Sequence, residues 1–590
     1  MSDKNKNLFS YISLISLLLM FSLPFLVSYH KWPESTYYSQ VLAFTLGVLS
    51  IVVLFKPASK GFKLAPTTVV PILLILLLGV QWFAGVGVYW QETSLGALYL
   101  FWAVMLMLVA TQLKEQLSLE TIVTWLAYAL LIGGLANVIV VLMQLFGADD
   151  FFWTFRRQGK SYTGNLAQVN LLTDYLSLTL ASIFYLHIKN RLKTGAVYGM
   201  VIFLLVALTL TGSRMSWLYI LLITLSFYVF GRNSNQQTWQ TKSKLILWLP
   251  LLYGSVQFVL PMLVELIASN SAVLPPAPTE RLAAFASQES VRMAYIKEAL
   301  AIASQHLLLG VGWGQYVCYD LIFADTHTAH TGFVSHTHNL FVQILVECGL
   351  FALLVMLIGS IYWFVQMLKQ NNSIERWWLL LVGGIIFTHS MLEYPLWYAH
   401  FLGIFAVIVA LADKSIVFKF NQPSVIKIAA GTVLVAALSL IVVTTYQYRQ
   451  IEYWVNQYPN LNKQQRVSML NEMTMMHQKT LVAEPLHLIL TRAYSILPSK
   501  QAPLAHKIAE YERVLHYMQA KEDIYRYVLL LAANGQIDKA TAYLKRAYVR
   551  HPAYAKQFAA QLQKMLAKPS NQHNSNLISL QQSLTELMQQ

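Results

Sequence analysis

A chain of 590 residues that is 56% hydrophobic and 12% charged, with a mean hydropathy of +0.50, excludes an ordinary soluble globular protein, in which about a quarter of residues are charged. The charge is lopsided, 42 Lys and Arg against 27 Asp and Glu, but the basic residues fall in short loops between apolar runs, the placement that orients membrane helices rather than a patch that grips nucleic acid. Cys318 and Cys348 lie far apart with no CxxC spacing, so neither a disulfide framework nor a zinc site is suggested.

At about 20 apolar residues per crossing, the chain offers about 13 spans. They lie near Leu8 to Val27, Tyr38 to Phe55, Thr67 to Val88, Leu95 to Thr111, Thr121 to Phe146, Asn170 to Ile188, Gly195 to Leu210, Met215 to Phe230, Leu245 to Ile267, Asn339 to Met367, Trp377 to Met391, Trp397 to Leu411 and Val425 to Thr444. The first run has no small-residue cleavage site after it, so it reads as a retained span. Lys4 and Lys6, then Lys56, Lys60 and Lys63, then Lys189, Arg191 and Lys193, then Arg232, Lys242 and Lys244, and Lys414, Lys419 and Lys427 all fall on one side if the N-terminus is cytoplasmic. An odd number of spans then puts the C-terminal segment outside.

The basic residues on the other side are the informative ones. Arg156, Arg157 and Lys160 follow the fifth span, Arg214 sits in the link TGSR after the seventh, and Arg281 and Arg292 lie in the long loop after the ninth. Guanidinium groups placed against the orientation rule fit an anionic partner at the outer surface, a phosphate that they grip through paired donors.

The loop 268–338 is too long for a connector. Val291, Ala294, Tyr295, Ala299 and Ile302 recur at helical spacing, and Gly310, Gly312 and Gly314 mark a tight backbone, so amphipathic helices on the membrane are expected there. At its end His327, His330, His336 and His338 crowd together, and His338-Asn339 stand directly before an apolar helix. An imidazole there is suited to take a proton from a hydroxyl. The reading is an all-α polytopic membrane domain, 1–444, with this loop inside it, a soluble helical domain 445–567 and a polar tail 568–590. Within the helical domain IYRYVLLLAANGQIDKATAYLKRAYVRHP has the spacing of one tetratricopeptide-like hairpin.

Four stretches carry a family resemblance: GNLAQVN (Gly164 to Asn170), TGSRMSW (Thr211 to Trp217), SHTHNLFVQILVECGL (Ser335 to Leu350) and MLEYPLWYAHFLGIFA (Met391 to Ala406). In their order and topology they resemble the O-antigen ligase and polymerase superfamily, and within it the PglL-type bacterial protein O-oligosaccharyltransferases. Val169 stands where the family often has Pro, and Ala352 where a second Gly is common. The resemblance implies an enzyme of the Gram-negative inner membrane, with its active site and C-terminal domain periplasmic. It would transfer an oligosaccharide en bloc from an undecaprenyl pyrophosphate carrier to Ser or Thr hydroxyls of periplasmic or pilin-like proteins. No cofactor and no metal is implied.

On that resemblance His338, Arg214, Gln168 and Tyr394 are the catalytic candidates. Arg214 and Arg292, with Arg281, Arg156 and Arg157 behind them, would bind the donor pyrophosphate, and Asn339, His336, Asn170 and Glu393 would support the site. His336 is the rival to His338 as the base. The partners expected are the lipid-linked donor, an acceptor protein docking partly on the C-terminal domain, and membrane lipids, with no nucleic acid. Alternatives within the superfamily are an O-antigen ligase acting on lipid A core and an O-antigen polymerase. A transporter would show paired charges at the bilayer midplane or repeated halves. A metalloenzyme would use Asp325, His327, His330 and His336 as ligands.

Overall fold

The structure is a computed structural model that describes residues 3–56, 62–232, 245–267, 278–327, 330–370, 373–418, 423–457, 460–495, 502–569 and 572–589. The side chains of residues 278–290, that of Arg281 among them, lie outside the described ones. Its strands are Phe62–Leu64 and Ile416–Phe418, paired antiparallel.

The helices in chain order are α1 (Asp3–Met20), α2 (Tyr37–Leu49), α3 (Val69–Phe83), α4 (Trp90–Gln116), α5 (Leu119–Leu145), α6 (Val169–Ile188), α7 (Thr194–Thr211), α8 (Met215–Arg232) and α9 (Leu249–Ile267). There follow α10 (Pro278–Gln305), α11 (Tyr316–Ile322), α12 (Leu340–Lys369), α13 (Ile374–Ser390), α14 (Ala399–Ala412) and α15 (Pro423–Gln457). The C-terminal run is α16 (Lys463–His477), α17 (Ala483–Ser495), α18 (Leu504–Val514), α19 (Lys521–Ala533), α20 (Ile537–Arg550), α21 (Pro552–Leu566) and α22 (Ser575–Gln589).

Among the described residues ten helices are long and apolar enough to cross a membrane, and Met215–Phe230 and Ala399–Ala412 are shorter apolar helices. With α13 they occupy the positions of all the expected spans. The protein is an all-α, multi-pass membrane protein.

The chain divides into two compact units. The first comprises Met1–Leu73, Tyr99–Ala284 and Leu357–Val443, the second Leu74–Leu98, Phe285–Met356 and Thr444–Gln590.

The first unit is built around α6, whose side chains are buried from Leu171 to Ile188. Its sequence permits that burial, because Thr173, Ser177, Thr179 and Ser182 each return their hydroxyl to the carbonyl four residues back and so need no water. α5 approaches closely through Gly133 and Gly134, where a Cβ would collide with the Tyr175 hydroxyl and the Thr179 side chain. Small residues at such crossings are how membrane helices gain dispersion contact where water exerts no drive.

In the second unit α10 buries Ala299, Ile302 and Ala303 against Val311, Tyr316, Val334 and Val346. The apolar face expected to lie on the membrane is therefore covered by protein. α11 follows it, and its Leu321 belongs to the same core as α18–α22. The tetratricopeptide-like hairpin is α19 and α20, turned at Gly535 with φ +77° and packed through Ala540, Leu544 and Ala547. The stretch read as a polar tail contains α22, which buries Leu577, Leu580 and Leu584 in that core because its apolar residues repeat at helical spacing.

Candidate active site

In the first unit the motif GNLAQVN folds as a short turn, Gly164–Leu166, followed by Ala167 at φ +59° and then Gln168 as the N-cap of α6. Gln168 Oε1 accepts from Leu171 N, so what its side chain can offer a ligand is the amide N–H pair. Val169, at the first helical position, stands where proline would fit equally well. Asn165 ties down the loop that carries the arginines: its Nδ2 donates to the Leu26 and Trp153 carbonyls and its Oδ1 accepts from Phe155 N. In that loop Arg156 is exposed and 3.5 Å from Asp150, whereas Arg157 bonds the Tyr162 hydroxyl at 2.9 Å.

Asn170 and Glu393 come together. Asn170 Nδ2 donates to Glu393 Oε1 at 3.1 Å, and the Ser213 hydroxyl donates to Asn170 Oδ1 at 2.7 Å. Ser213 lies in the link between α7 and α8, after Gly212, whose φ of +68° ends α7. This chain of contacts fixes the residue immediately before Arg214, which is half-buried. One helical turn further, Asp174 and His389 pair at 2.7 Å with both side chains buried, so α6 is tied by one polar rung to α13 and by another to the segment that follows it. Tyr394 stacks on Tyr398 at 5.9 Å, and burial raises its hydroxyl above its ordinary range, which keeps it a neutral hydrogen-bond donor.

In the second unit α12 is not one helix. Gly349 has φ +81° and ψ −176°, which breaks it into a short N-terminal piece and a longer one. A Cβ there would lie 2.5 Å from the Leu308 carbonyl carbon and 2.8 Å from Gly310 N, so only glycine fits. The break frees carbonyls, and the chain 307–312 satisfies them: Val311 N donates to Val346 O at 2.9 Å and Gly312 N to Glu347 O at 3.0 Å, while Leu350 N donates to Leu307 O at 2.8 Å. Within SHTHNLFVQILVECGL, His338-Asn339, the nine residues after them and Gly349 thus form a short helix with its two ends.

At the N-terminal end of that helix His338 has φ +58°, a left-handed conformation uncommon outside glycine. Asn339 caps the helix through Val342 N at 3.1 Å. His336 is buried, and its Nδ1 accepts the His338 backbone N–H at 2.8 Å. Burial, with the neighbouring His338, holds His336 well below its ordinary pKa, so it stays neutral and is occupied in shaping the loop. His338 remains half-buried, its ring stacked on Tyr295 at 6.0 Å and 26°. Arg292 lies three residues before Tyr295 on α10, the spacing of one helix face.

The ligand set Asp325, His327, His330 and His336 does not assemble. His336 is committed as described, Asp325 faces Arg546 at 3.6 Å, and His327 Nδ1 bonds the Thr326 hydroxyl at 3.0 Å. His330 instead joins Glu298 and Asp320.

The family described as O-antigen ligase matches residues 199–357, and that described as virulence factor membrane-bound polymerase, C-terminal, matches residues 377–565. A general O-oligosaccharyltransferase of Acinetobacter baylyi is 22% identical over 552 residues, covering 91% of this chain and 92% of its own length. A ComP-specific O-oligosaccharyltransferase of the same organism is 23% identical over 380 residues, 62% of this chain and 65% of its own. The chain is thus similar to O-oligosaccharyltransferases over nearly its whole length and to the O-antigen ligase family within it. It is a glycosyltransferase of O-linked glycosylation.

In this glycosyltransferase Ser213, Tyr295 and Arg550 are not among the residues that the sequence alone singles out for the site. Ser213 carried a signal, since it sits inside TGSR. Tyr295 was visible only as an apolar face position, and nothing in sequence placed Arg550 beside the histidine loop.

Proposed function

We propose that the protein transfers an oligosaccharide from a polyprenyl pyrophosphate carrier to Ser or Thr hydroxyls of acceptor proteins on the periplasmic side of a Gram-negative inner membrane. The acceptor oxygen attacks the anomeric carbon and forms the glycosidic C–O bond. The bond to the pyrophosphate breaks, and its electron pair leaves with the phosphate. His338 takes or orients the hydroxyl proton. Arg214 and Arg292 meet the negative charge that develops on the leaving pyrophosphate, with Arg281, Arg156 and Arg157 available to the donor. Gln168 and Tyr394 are the donors assigned to sugar or phosphate oxygens, and no metal takes part.

The observation that carries this reading is the geometry of His338. It is a non-glycine residue held at φ +58° at a helix start, with its rival His336 already engaged in holding it. Backbone strain of this kind persists where the surroundings impose it, and such positions cluster at functional sites.

A second reading has its own support. The matching families are described as O-antigen ligase and as a membrane-bound polymerase, which fits a glycan acceptor as the alternative. Purified protein in detergent, given a lipid-pyrophosphate oligosaccharide and a pilin-like acceptor, separates the two. Glycan on the acceptor protein, lost in His338→Ala, is the expected result. Lengthening of the lipid-linked glycan, or its movement to lipid A core with no protein modified, would replace the protein acceptor with the polymerase or ligase reaction.

A further inference from the structure

The strongest ionic cluster of the described residues lies outside the motifs. Arg550, the last residue of α20, is 1% exposed. Its guanidinium donates to Glu298 Oε2 at 2.9 Å and to the carbonyls of His327, Asp320 and His330 at 3.0, 2.9 and 3.1 Å, and it lies 3.2 Å from Asp320 Oδ1. In return its own carbonyl accepts from Gly332 N at 2.6 Å. His330 Nε2 stands 3.1 Å from both Glu298 Oε2 and Asp320 Oδ1.

The ligand atoms of Glu298, Asp320 and His330 lie within 4.8 Å of one another, a donor set chemically suited to a divalent cation. The guanidinium lies against the same two carboxylates and supplies the positive charge. Two buried carboxylates without such a partner repel each other and lose their solvation. A single side chain of the C-terminal helices therefore ties together α10, α11 and two carbonyls, those of His327 and His330, in the first part of the histidine loop.

That tie bears on His338 through two short paths. Glu298 is three residues after Tyr295, so the two share a face of α10, and the Tyr295 ring stacks on His338 and meets the His330 ring edge-on at 4.7 Å. On the other path Gly332, held by Arg550, is six residues before His338.

We propose that Arg550 is a positioning residue for glycan transfer, in which the C-terminal helical domain holds the histidine loop and α10 so that His338 and Tyr295 keep their mutual geometry. This rests on the assignment of His338 to the acceptor hydroxyl. It also gives the C-terminal domain a task in the chemical step, separate from any docking of the acceptor.

The experiment uses the full-length protein in detergent, with Arg550→Lys and Arg550→Met beside the wild type. Steady-state transfer is followed on whichever hydroxyl acceptor the wild type glycosylates, together with amide hydrogen exchange. Arg550→Lys keeps the charge but not the five-donor fork. It should fold, lose tenfold or more in kcat with donor and acceptor KM within about twofold, and show faster exchange at Gly332 and His338 while α19 and α21 stay protected. Arg550→Met should lose more. If Arg550→Met does not fold, Arg550→Lys alone decides.

Wild-type kcat in the folded variants, or a loss that appears only as a raised acceptor KM, overturns the proposal, the second because it would mark a docking residue. If the wild type glycosylates no hydroxyl at all, the proposed function falls. The exchange at Gly332 still reports whether Arg550 holds the loop, and unchanged exchange there overturns the clamp.

Discussion

Gly349→Ala tests whether the break in α12 is what sets the histidine end of the short helix. The new methyl would enter a position 2.5 Å from the Leu308 carbonyl carbon, in a backbone at φ +81°. Left-handed backbone costs a non-glycine residue roughly 1–2 kcal/mol, of which the lower chain entropy of unfolded alanine offsets about 0.4–1 kcal/mol. Relief of the collision must part the chain 307–312 from the helix, putting at risk the three bonds Val311–Val346, Gly312–Glu347 and Leu350–Leu307, worth about 1 kcal/mol each. The net loss is about 3–4.5 kcal/mol.

Gly85→Ala is the control, because Gly85 has φ +70° and nothing within 4 Å of its would-be Cβ. It bears only the backbone term, about 1–2 kcal/mol. Thermal unfolding in detergent should place Gly349→Ala clearly below Gly85→Ala. Transfer should fall much further, since a 1 Å misplacement of a catalytic group costs on the order of 100-fold. Equal stability and equal transfer in the two variants would refute the account of the break.

The cluster around His330 makes stability depend on pH. Burial pulls His330 down, but its bonds to Asp320 and Glu298 outweigh that and hold it above 6.5. A folded-state value above the unfolded one stabilises the protonated ring, so this contribution is whole below about pH 6.5 and is lost as pH climbs through the raised value. Glu298, raised chiefly by burial, acts in the same direction. The thermal midpoint should therefore decline from about pH 6 to about pH 9, and His330→Gln should flatten that decline. A wild-type midpoint that rises over this range contradicts the sign.

Asp174→Leu or His389→Leu strands one member of a fully buried pair, a loss of about 3–5 kcal/mol. The double change Asp174→Leu with His389→Leu should be milder than the sum, and additive losses in an unfolding cycle would show that the two do not act as a pair. EDTA should leave transfer unchanged, because a guanidinium already faces the carboxylates of Glu298 and Asp320. Inhibition reversed by added divalent metal would make that cluster a cation site instead.

Apolar runs of bilayer length determined the helical membrane architecture in sequence, because each span must satisfy its own backbone and declares itself locally. The His-Asn pair, TGSR and the Glu-Tyr-Pro segment were equally legible, since each keeps its chemistry within a few residues. The demand for glycine at 349 has no such local reason: the colliding Leu308 carbonyl is 41 residues away in the chain. Only the tertiary structure decided that Asn170 meets Glu393, 223 residues on, and that Asp174 meets His389. It also decided that His336 Nδ1 accepts the His338 backbone N–H, a bond that depends on a left-handed turn that composition does not announce. The same holds for Arg550, whose four partners come from α10, α11 and the loop after it. A charge is buried only where folding brings its counter-charges from distant segments, and no local pattern records that.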